Sequence, residues 1–401
     1  MTHVVVVGAG QAGASCVAKL RSLGFQGVIT LIGDETVPPY QRPPLSKAYL
    51  LGEMELPRLF LRPESYYAEN DISLRVGERV DVIDPVSRTV VLGDEDLAFD
   101  HLVLATGSAP RKLPAAIGGD LEGVFLVRTL ADADAMAPRF TDGARVLIVG
   151  GGYIGLEAAA VAAKRGLSVT LVEMADRILQ RVAAPETSDY FRALHQGHGV
   201  TIVEGVGLDH LKGETAVTSA YLTDGTVLDV DFVIVGIGIA PRTELAEAAG
   251  LEIDNGIAVD AFGQTSQPGI WAAGDCASFP YHGQRIRLES VPNAIDQAEV
   301  VAENLLGANK PYEAHPWFWS DQYDVKLQIA GLNTGYDRVV VRQSEAASSY
   351  WYFEGDTLLA VDAMNDPRAY MVGKRLIDAG KSADPALLSD PATDLKTLLR
   401  G

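Results

Sequence analysis

The sequence predicts an α/β fold with two Rossmann-like βαβ units followed by a smaller α+β segment. Three observations carry this. The apolar run at 4–7 leads into Gly8, Gly10 and Gly13. The same arrangement returns at 146–149 with Gly150, Gly152 and Gly155. After about residue 316 the pattern changes to several short strand-like runs and one helix.

In chain order, the first unit reads as a strand at 4–7, a glycine turn, a helix over 11–23 and a strand at 28–32. Residues 75–82 and 88–92 read as antiparallel strands, and 102–107 as a buried strand ending in a tight turn. The second unit repeats the first, with a helix over 153–165 and a strand at 168–173. Strands at 225–229, 232–236 and 270–275 follow, then a helix over 293–306. The tail carries strands at 326–330, 338–342, 350–353 and 358–362 and a helix over 370–379.

A chain of 401 residues is long enough for two or three domains. Its net charge of −20 opposes binding to nucleic acid or to an anionic membrane surface. The two cysteines, Cys16 and Cys276, form neither a C-x-x-C pair nor a zinc set, and fit a reducing compartment. None of the seven histidines has metal or triad spacing, and His195 and His198 read as solvated helix-end residues. No apolar run approaches the length of a membrane span, and the chain enters a buried-type strand without a secretion signal, so a cytoplasmic protein is expected.

The glycine clusters explain the chemistry. One glycine permits the tight turn, one lets a pyrophosphate approach the backbone, and one lets helix and strand pack closely. The helix N-terminus adds unpaired N–H groups and the positive end of its dipole. An acidic residue should follow about 20 residues on to bind ribose hydroxyls. In the first unit Asp34 and Glu35 are both candidates, set off from the strand by Gly33. In the second, Glu173 ends the strand; a carboxylate there repels a 2′-phosphate, which predicts NADH rather than NADPH. Two dinucleotide sites in one chain imply transfer between two cofactors, with FAD and NADH the logical pair.

With these motifs on view, the sequence resembles the oxygenase-coupled NADH-dependent ferredoxin reductases, putidaredoxin reductase-like flavoproteins of the glutathione-reductase fold. The resemblance covers almost the whole chain. Besides the glycine clusters it rests on the runs R-P-P-L-S-K at 42–47, A-T-G at 105–107, G-D-C-A at 274–277, E-S-V-P-N-A at 289–294 and W-F-W-S-D-Q at 317–322. It implies that Asp275 binds the ribityl hydroxyls of FAD, that Val291 and the helix it opens lie at the flavin pyrimidine edge, and that Arg128 contacts the pyrophosphate. Ala12, Asp34, Lys47 and Val80 match further FAD contacts. Arg42, Ala105, Thr106 and Gly107 lie in matching runs, and Trp319 would lie against the ring system. Lys47 and Glu157 would form an ion pair beside the flavin, near the nicotinamide of the NADH bound by Gly150, Gly152, Tyr153, Ile154 and Gly155. Tyr153 could gate that site or merely pack.

The resemblance further implies a discontinuous FAD domain (1–114 and 242–316), an inserted NAD domain (115–241) and a C-terminal domain (317–401) covering the flavin. No cysteine lies at 38–50, where thiol-dependent relatives carry theirs. Electrons must then leave singly to a docked carrier, a small acidic 2Fe-2S ferredoxin serving a monooxygenase or dioxygenase. Rubredoxin as acceptor, an NADH oxidase, and an NADH-sensing flavoprotein of the apoptosis-inducing-factor type are the alternatives. Asp296, Glu299 and Glu303 would repel an acidic partner, so a docking patch is expected among Lys326, Arg338, Arg342, Lys374 and Arg375.

Overall fold

The computed structural model describes residues 1–400. The chain forms two compact units. The first comprises Met1–Gln41, Glu55–Ala109 and Ile239–Pro316; the second comprises Arg42–Met54, Pro110–Gly238 and the chain from Trp317 onward.

In the first unit five parallel strands lie in the order Ile270–Ala272, His101–Leu104, His3–Val7, Val28–Gly33, Ile72–Val76. Side chains alternate across a strand, so the valine run feeds two cores. Val4 and Val6 join Cys16, Val17 and Leu20 of helix Gln11–Ser22. Val5 and Val7 join Ile83, Val90 and Phe279. The helix stops where Gly24 takes a left-handed conformation (φ +80°) and Phe25 N–H bonds back to the Leu20 carbonyl. Helix Val291–Leu305 shares this core through Ala294, Ala298 and Val301. Lys19 bonds Glu299 at 3.1 Å and Glu303 at 3.0 Å, and Lys310 also reaches Glu303, so Glu299 and Glu303, both expected to repel a partner, are already paired.

One strand expectation is overturned. Arg75 does not begin an antiparallel strand running to residue 82. It belongs to Ile72–Val76, the outer parallel strand, which ends at Gly77 (φ +71°). The antiparallel pairing is between Val82–Asp84 and Thr89–Leu92.

The second unit repeats the arrangement, with parallel strands in the order Thr201–Glu204, Ser168–Glu173, Arg145–Val149, Phe232–Val235, Val124–Leu126. Helix Tyr153–Lys164 is alanine-rich and buried along most of its length. From Trp317 the chain builds an antiparallel sheet in the order Trp317–Gln322, Val325–Gly331, Thr357–Met364, Ser348–Glu354, Arg338–Gln343, against which helix Pro367–Asp378 packs. Strand Trp317–Gln322 was not expected. Its W-F-W-S-D-Q run lacks apolar–polar alternation, because Ser320 and Gln322 are buried polar residues.

Asp362, on strand Thr357–Met364, is also buried; it accepts bonds from Thr187 Oγ1 (2.7 Å) and Tyr352 Oη (2.5 Å). Burial outweighs these donors and pushes its carboxyl up to about 6. The native state therefore holds this proton more tightly than the unfolded chain, whose carboxyl has the ordinary value of 3.8. Between about pH 4 and pH 6 this group makes stability fall as pH rises, by roughly 3 kcal/mol in all, with no further change above about pH 6. Asp362→Asn is expected to remove that slope, read by denaturant unfolding across the window. An unaltered slope would show that Asp362 does not titrate there.

Candidate functional site

Both glycine turns are built alike. Gly8 and Gly150 have φ of +115° and +108°. A Cβ on Gly8 would lie 2.0 Å from the Ala105 carbonyl oxygen, and one on Gly150 2.4 Å from that of Gly236. Gly13 and Gly155 leave no room either: an added Cβ would meet the carbonyl oxygens of Gly8 and Gly150 at 2.0 and 2.1 Å. These close approaches lock helix against strand. Gly10 and Gly152 differ, having nothing within 4 Å of the Cβ position. Each is the N-cap of its helix and supplies no side-chain cap, so the first-turn N–H groups have no capping acceptor from it. Each cradle therefore suits the pyrophosphate of a dinucleotide.

Around the first cradle, Ala12 and Ala105 are buried in the core beside it. Thr106 donates to the Arg242 carbonyl (2.7 Å), and the Gly107 carbonyl accepts from Arg242 N–H (2.9 Å). Gly33, the departure noted before the acidic pair, lies against Ala9, where a Cβ would sit 2.5 Å away. Beyond it Asp34 pairs with Arg242 (3.0 Å), and Glu35 accepts from Tyr40 (2.5 Å). Val80 is buried with Val5, Val7 and Ile32. Gly274 N–H bonds the buried Gln297 Oε1 at 2.8 Å, while Gln297 Nε2 has no partner. Asp275 accepts from Ser108 (2.9 Å). Val291 is the first residue of its helix, capped by Ser290.

In the second unit Glu173 closes the turn region. Its carboxylate accepts from Gly151 N–H (2.7 Å) and Ala175 N–H (2.8 Å). Arg177 cannot easily serve a 2′-phosphate, because its guanidinium is committed to Ser188 Oγ and the Ala183 carbonyl.

One turn into helix Tyr153–Lys164 lies a buried carboxylate. Four helical residues advance about 6 Å and two strand residues about 6.7 Å, so the helix and strand Trp317–Gln322 can match residue for residue. Tyr153 packs against Phe318 with ring centres 5.1 Å apart and planes tilted by 40°, and Glu157 meets Ser320. Glu157 Oε2 accepts from Lys47 (2.6 Å) and Ser46 (3.1 Å), and Oε1 from Ser320 (2.7 Å). The Lys47–Glu157 pair expected from the motifs is thus formed. The Tyr153 hydroxyl is buried without a partner, and burial raises its pKa. Ile154 is exposed beside it. Arg42 bonds the Arg128 carbonyl (2.7 Å), just before a helix capped by Thr129 and Asp132. Trp319 is half-buried and packs against Trp317, ring centres 5.6 Å apart and planes tilted by 31°.

Ser46, Ser320, Gln322 and His195 were missed as site residues. The reading of His195 as solvated is overturned: it is fully buried, sharing the inner face of helix Pro185–Gly197 with Thr187 and Phe191. The 187–191–195 spacing was the available signal. His198 is exposed and stacks on Tyr323.

Residues 2–298 match the family model for pyridine nucleotide-disulphide oxidoreductases, and 317–399 that for the reductase C-terminal segment. The chain belongs to the pyridine nucleotide-disulphide oxidoreductase family. It is 43% identical to putidaredoxin reductase of Pseudomonas putida over 407 residues, covering 99% of this chain and 96% of that protein. It is also 43% identical to a ferredoxin–NAD(P)+ reductase of a Sphingomonas species, covering 99% and 98%. Among solved structures, the reductase in the covalent putidaredoxin reductase–putidaredoxin complex superposes with a TM-score of 0.96 at 42% identity, covering 100% of this chain and 98% of that one. FAD and NADH are the cofactors of this oxidoreductase family, and the two cradles fit them.

The family's disulphide chemistry has no residues here. Cys16 and Cys276 are buried and unpaired, in separate cores, and burial pushes the Cys16 thiol up to about 12 and raises that of Cys276. Among the described residues no group of side chains could hold a metal, and no helix is long and apolar enough to cross a membrane. The expected basic patch is narrower than the sequence suggested. Arg342 is committed to the carbonyls of Leu388, Asp390, Pro391 and Thr393; Arg338 lies over Phe353 and Lys374 pairs with Asp378. Lys326 and Arg375 are exposed.

Lys47→Ala would leave the Glu157 carboxylate buried with only hydroxyl donors. A loss of about 2–3 kcal/mol is expected in denaturant unfolding, about half of it recovered by adding Glu157→Gln. A double-variant loss equal to the sum of the Lys47→Ala and Glu157→Gln losses would show the two residues to be uncoupled.

Proposed function

We propose that the protein is an NADH-dependent ferredoxin reductase that delivers electrons singly to a small 2Fe-2S ferredoxin serving a monooxygenase or dioxygenase. The observation that carries this reading is the pair of matched glycine cradles in a chain whose only cysteines are sealed in cores. Two dinucleotides can be held, and no sulfur stands ready to receive electrons. Full-length likeness to a putidaredoxin reductase and a ferredoxin–NAD(P)+ reductase supports the same assignment.

FAD supplies the exchange between a two-electron hydride donor and one-electron acceptors. The Gly8–Gly13 turn would hold its pyrophosphate, Asp34 or Glu35 its adenosine ribose, and Asp275 its ribityl chain. Val291 would bring the positive end of its helix to the ring. Arg42, Lys47, Arg128 and Trp319, which the family resemblance also assigns to FAD, belong to the second unit. There the Gly150–Gly155 turn would hold NADH. Lys47 and Glu157 stand one helical turn beyond it; Glu157 fixes the direction of the Lys47 side chain. Tyr153, on Phe318, would flank the nicotinamide. We assign 1–114 and 242–316 to FAD, 115–241 to NAD and 317–401 to a third domain, in a cytoplasmic protein. Lys326 and Arg375 are exposed basic side chains that could meet an acidic carrier.

Two measurements test this. NADH-driven cytochrome c reduction should rise at least about tenfold when a 2Fe-2S ferredoxin is added, with little oxygen consumed. Rapid oxygen uptake without ferredoxin dependence would mark an oxidase, and a stable NADH-reduced complex without turnover would mark a signalling flavoprotein. Glu173→Ala should raise the NADPH-to-NADH ratio of kcat/KM about tenfold or more. An unchanged ratio would remove Glu173 from nucleotide selection.

A further inference from the structure

The Glu157 carboxylate is the end of a longer line of buried polar groups. Ser320 Oγ bonds Glu157 Oε1 at 2.7 Å, Gln322 Nε2 bonds Ser320 Oγ at 3.1 Å, and His195 Nε2 lies 2.8 Å from Gln322 Oε1. Tyr323 Oη lies 3.2 Å from His195 Nδ1. Ser320, Gln322 and His195 are each at most 1% exposed, so no solvent competes for these bonds. Ser320 and Gln322 reach the line together because residues two apart on a strand share a face.

The direction of every bond follows from one charge. The Glu157 carboxylate faces the Lys47 ammonium at 2.6 Å, and carboxylate oxygens only accept. Ser320 must therefore donate its hydroxyl hydrogen to Glu157, and its lone pair takes the Gln322 amide N–H. That fixes the Gln322 carbonyl toward His195, which must carry its proton on Nε2. Nδ1 is left as the acceptor for Tyr323. Burial pushes His195 down to about 4, in keeping with a neutral ring.

We propose that His195 is a positioning residue for the Lys47–Glu157 pair, acting through Gln322 and Ser320 as a one-way line of buried donors. Without the His195 N–H the Gln322 amide loses the partner that sets its orientation. Once turned over, it presents oxygen to Ser320, and the hydroxyl leaves Glu157 to satisfy it. The carboxylate then loses one of its three donors and with it the direction it imposes on Lys47. The catalytic consequence rests on the proposed function, in which the pair stands beside the nicotinamide.

The line makes a prediction that needs no turnover. In the holoenzyme, nitrogen-15 NMR of the imidazole should show His195 as the Nε2–H tautomer. Glu157→Gln is nearly isosteric but can donate. With its amide NH2 toward Ser320, each bond reverses, and His195 should switch to Nδ1–H, three side chains away. The Nδ1–H form in the wild type, or one tautomer in both proteins, would overturn the line. Stopped-flow reduction of the bound flavin by NADH reads the consequence. His195→Leu should slow it about fivefold or more, while His195→Gln, which keeps a donor near the ε position, should return it to within about twofold of wild type. Equal rates in all three, or equal slowing by Leu and Gln, would overturn the positioning role. A flavin-reduction rate untouched by Glu157→Gln would instead overturn the role given to the pair itself, whatever the tautomer does.

Discussion

Two contacts in which backbone meets backbone without an intervening side chain set the terms for this protein. At Gly8 against Ala105, and at Gly150 against Gly236, a strand end, a turn and a neighbouring strand converge where no Cβ fits. Gly13 and Gly155 then bring each helix down onto its own turn. Once those positions are fixed, the open faces of Gly10 and Gly152 must point past the strand ends. The acids that follow the second strands, Asp34 or Glu35 and Glu173, emerge at the same edge. The binding geometry is therefore a by-product of close packing rather than a separate feature added to it.

In the second unit the same helix does two jobs with residues four apart. Its first turn shapes the nucleotide cradle, and its second carries Glu157, which a neighbouring strand supplies with a hydroxyl donor. Burying a carboxylate in this way costs more than a single ion pair returns, unless its remaining lone pairs are satisfied. Ser46 and Ser320 satisfy them, which makes the Lys47–Glu157 pair a fixed object instead of a mobile surface contact.

The repeated strand–glycine–helix pattern was legible because it is local: apolar run, turn and helix sit within 20 residues, His3 to Ser22 and Arg145 to Lys164, and obey strong steric rules. The Lys47–Glu157 pair was legible only through its motifs, since nothing in the spacing of residues 47 and 157 brings them together. What stayed hidden was polar and buried. Strand Trp317–Gln322 broke the alternation rule because its inward positions include Ser320 and Gln322. His195 looked like a solvated residue near a helix end, although the four-residue steps from Thr187 to Phe191 to His195 put it on the inner face. Arg342 looked like a docking charge, and only the path of the tail shows that its guanidinium is filled by four carbonyls. In each case the partner lies in a distant segment, which local pattern cannot reveal.

The interleaved chain also sets an order of events during synthesis. The strands of the second unit's parallel sheet all lie between Val124 and Val235 in one stretch of the chain, with only the small antiparallel sheet of Leu208–Lys212, Ser219–Leu222 and Val227–Asp229 between Thr201–Glu204 and Phe232–Val235. They can pair as soon as they leave the ribosome, and domains generally fold as they emerge. The first unit cannot finish, although it was begun earlier. Its strand His101–Leu104 keeps one edge unpaired until Ile270–Ala272 arrives, after the whole of Pro110–Gly238 has been made. The amino-terminal sheet thus waits, with an apolar edge uncovered, for a segment separated from it by another folding unit. In this chain the nascent state most exposed to strand-to-strand aggregation belongs to the half that starts first.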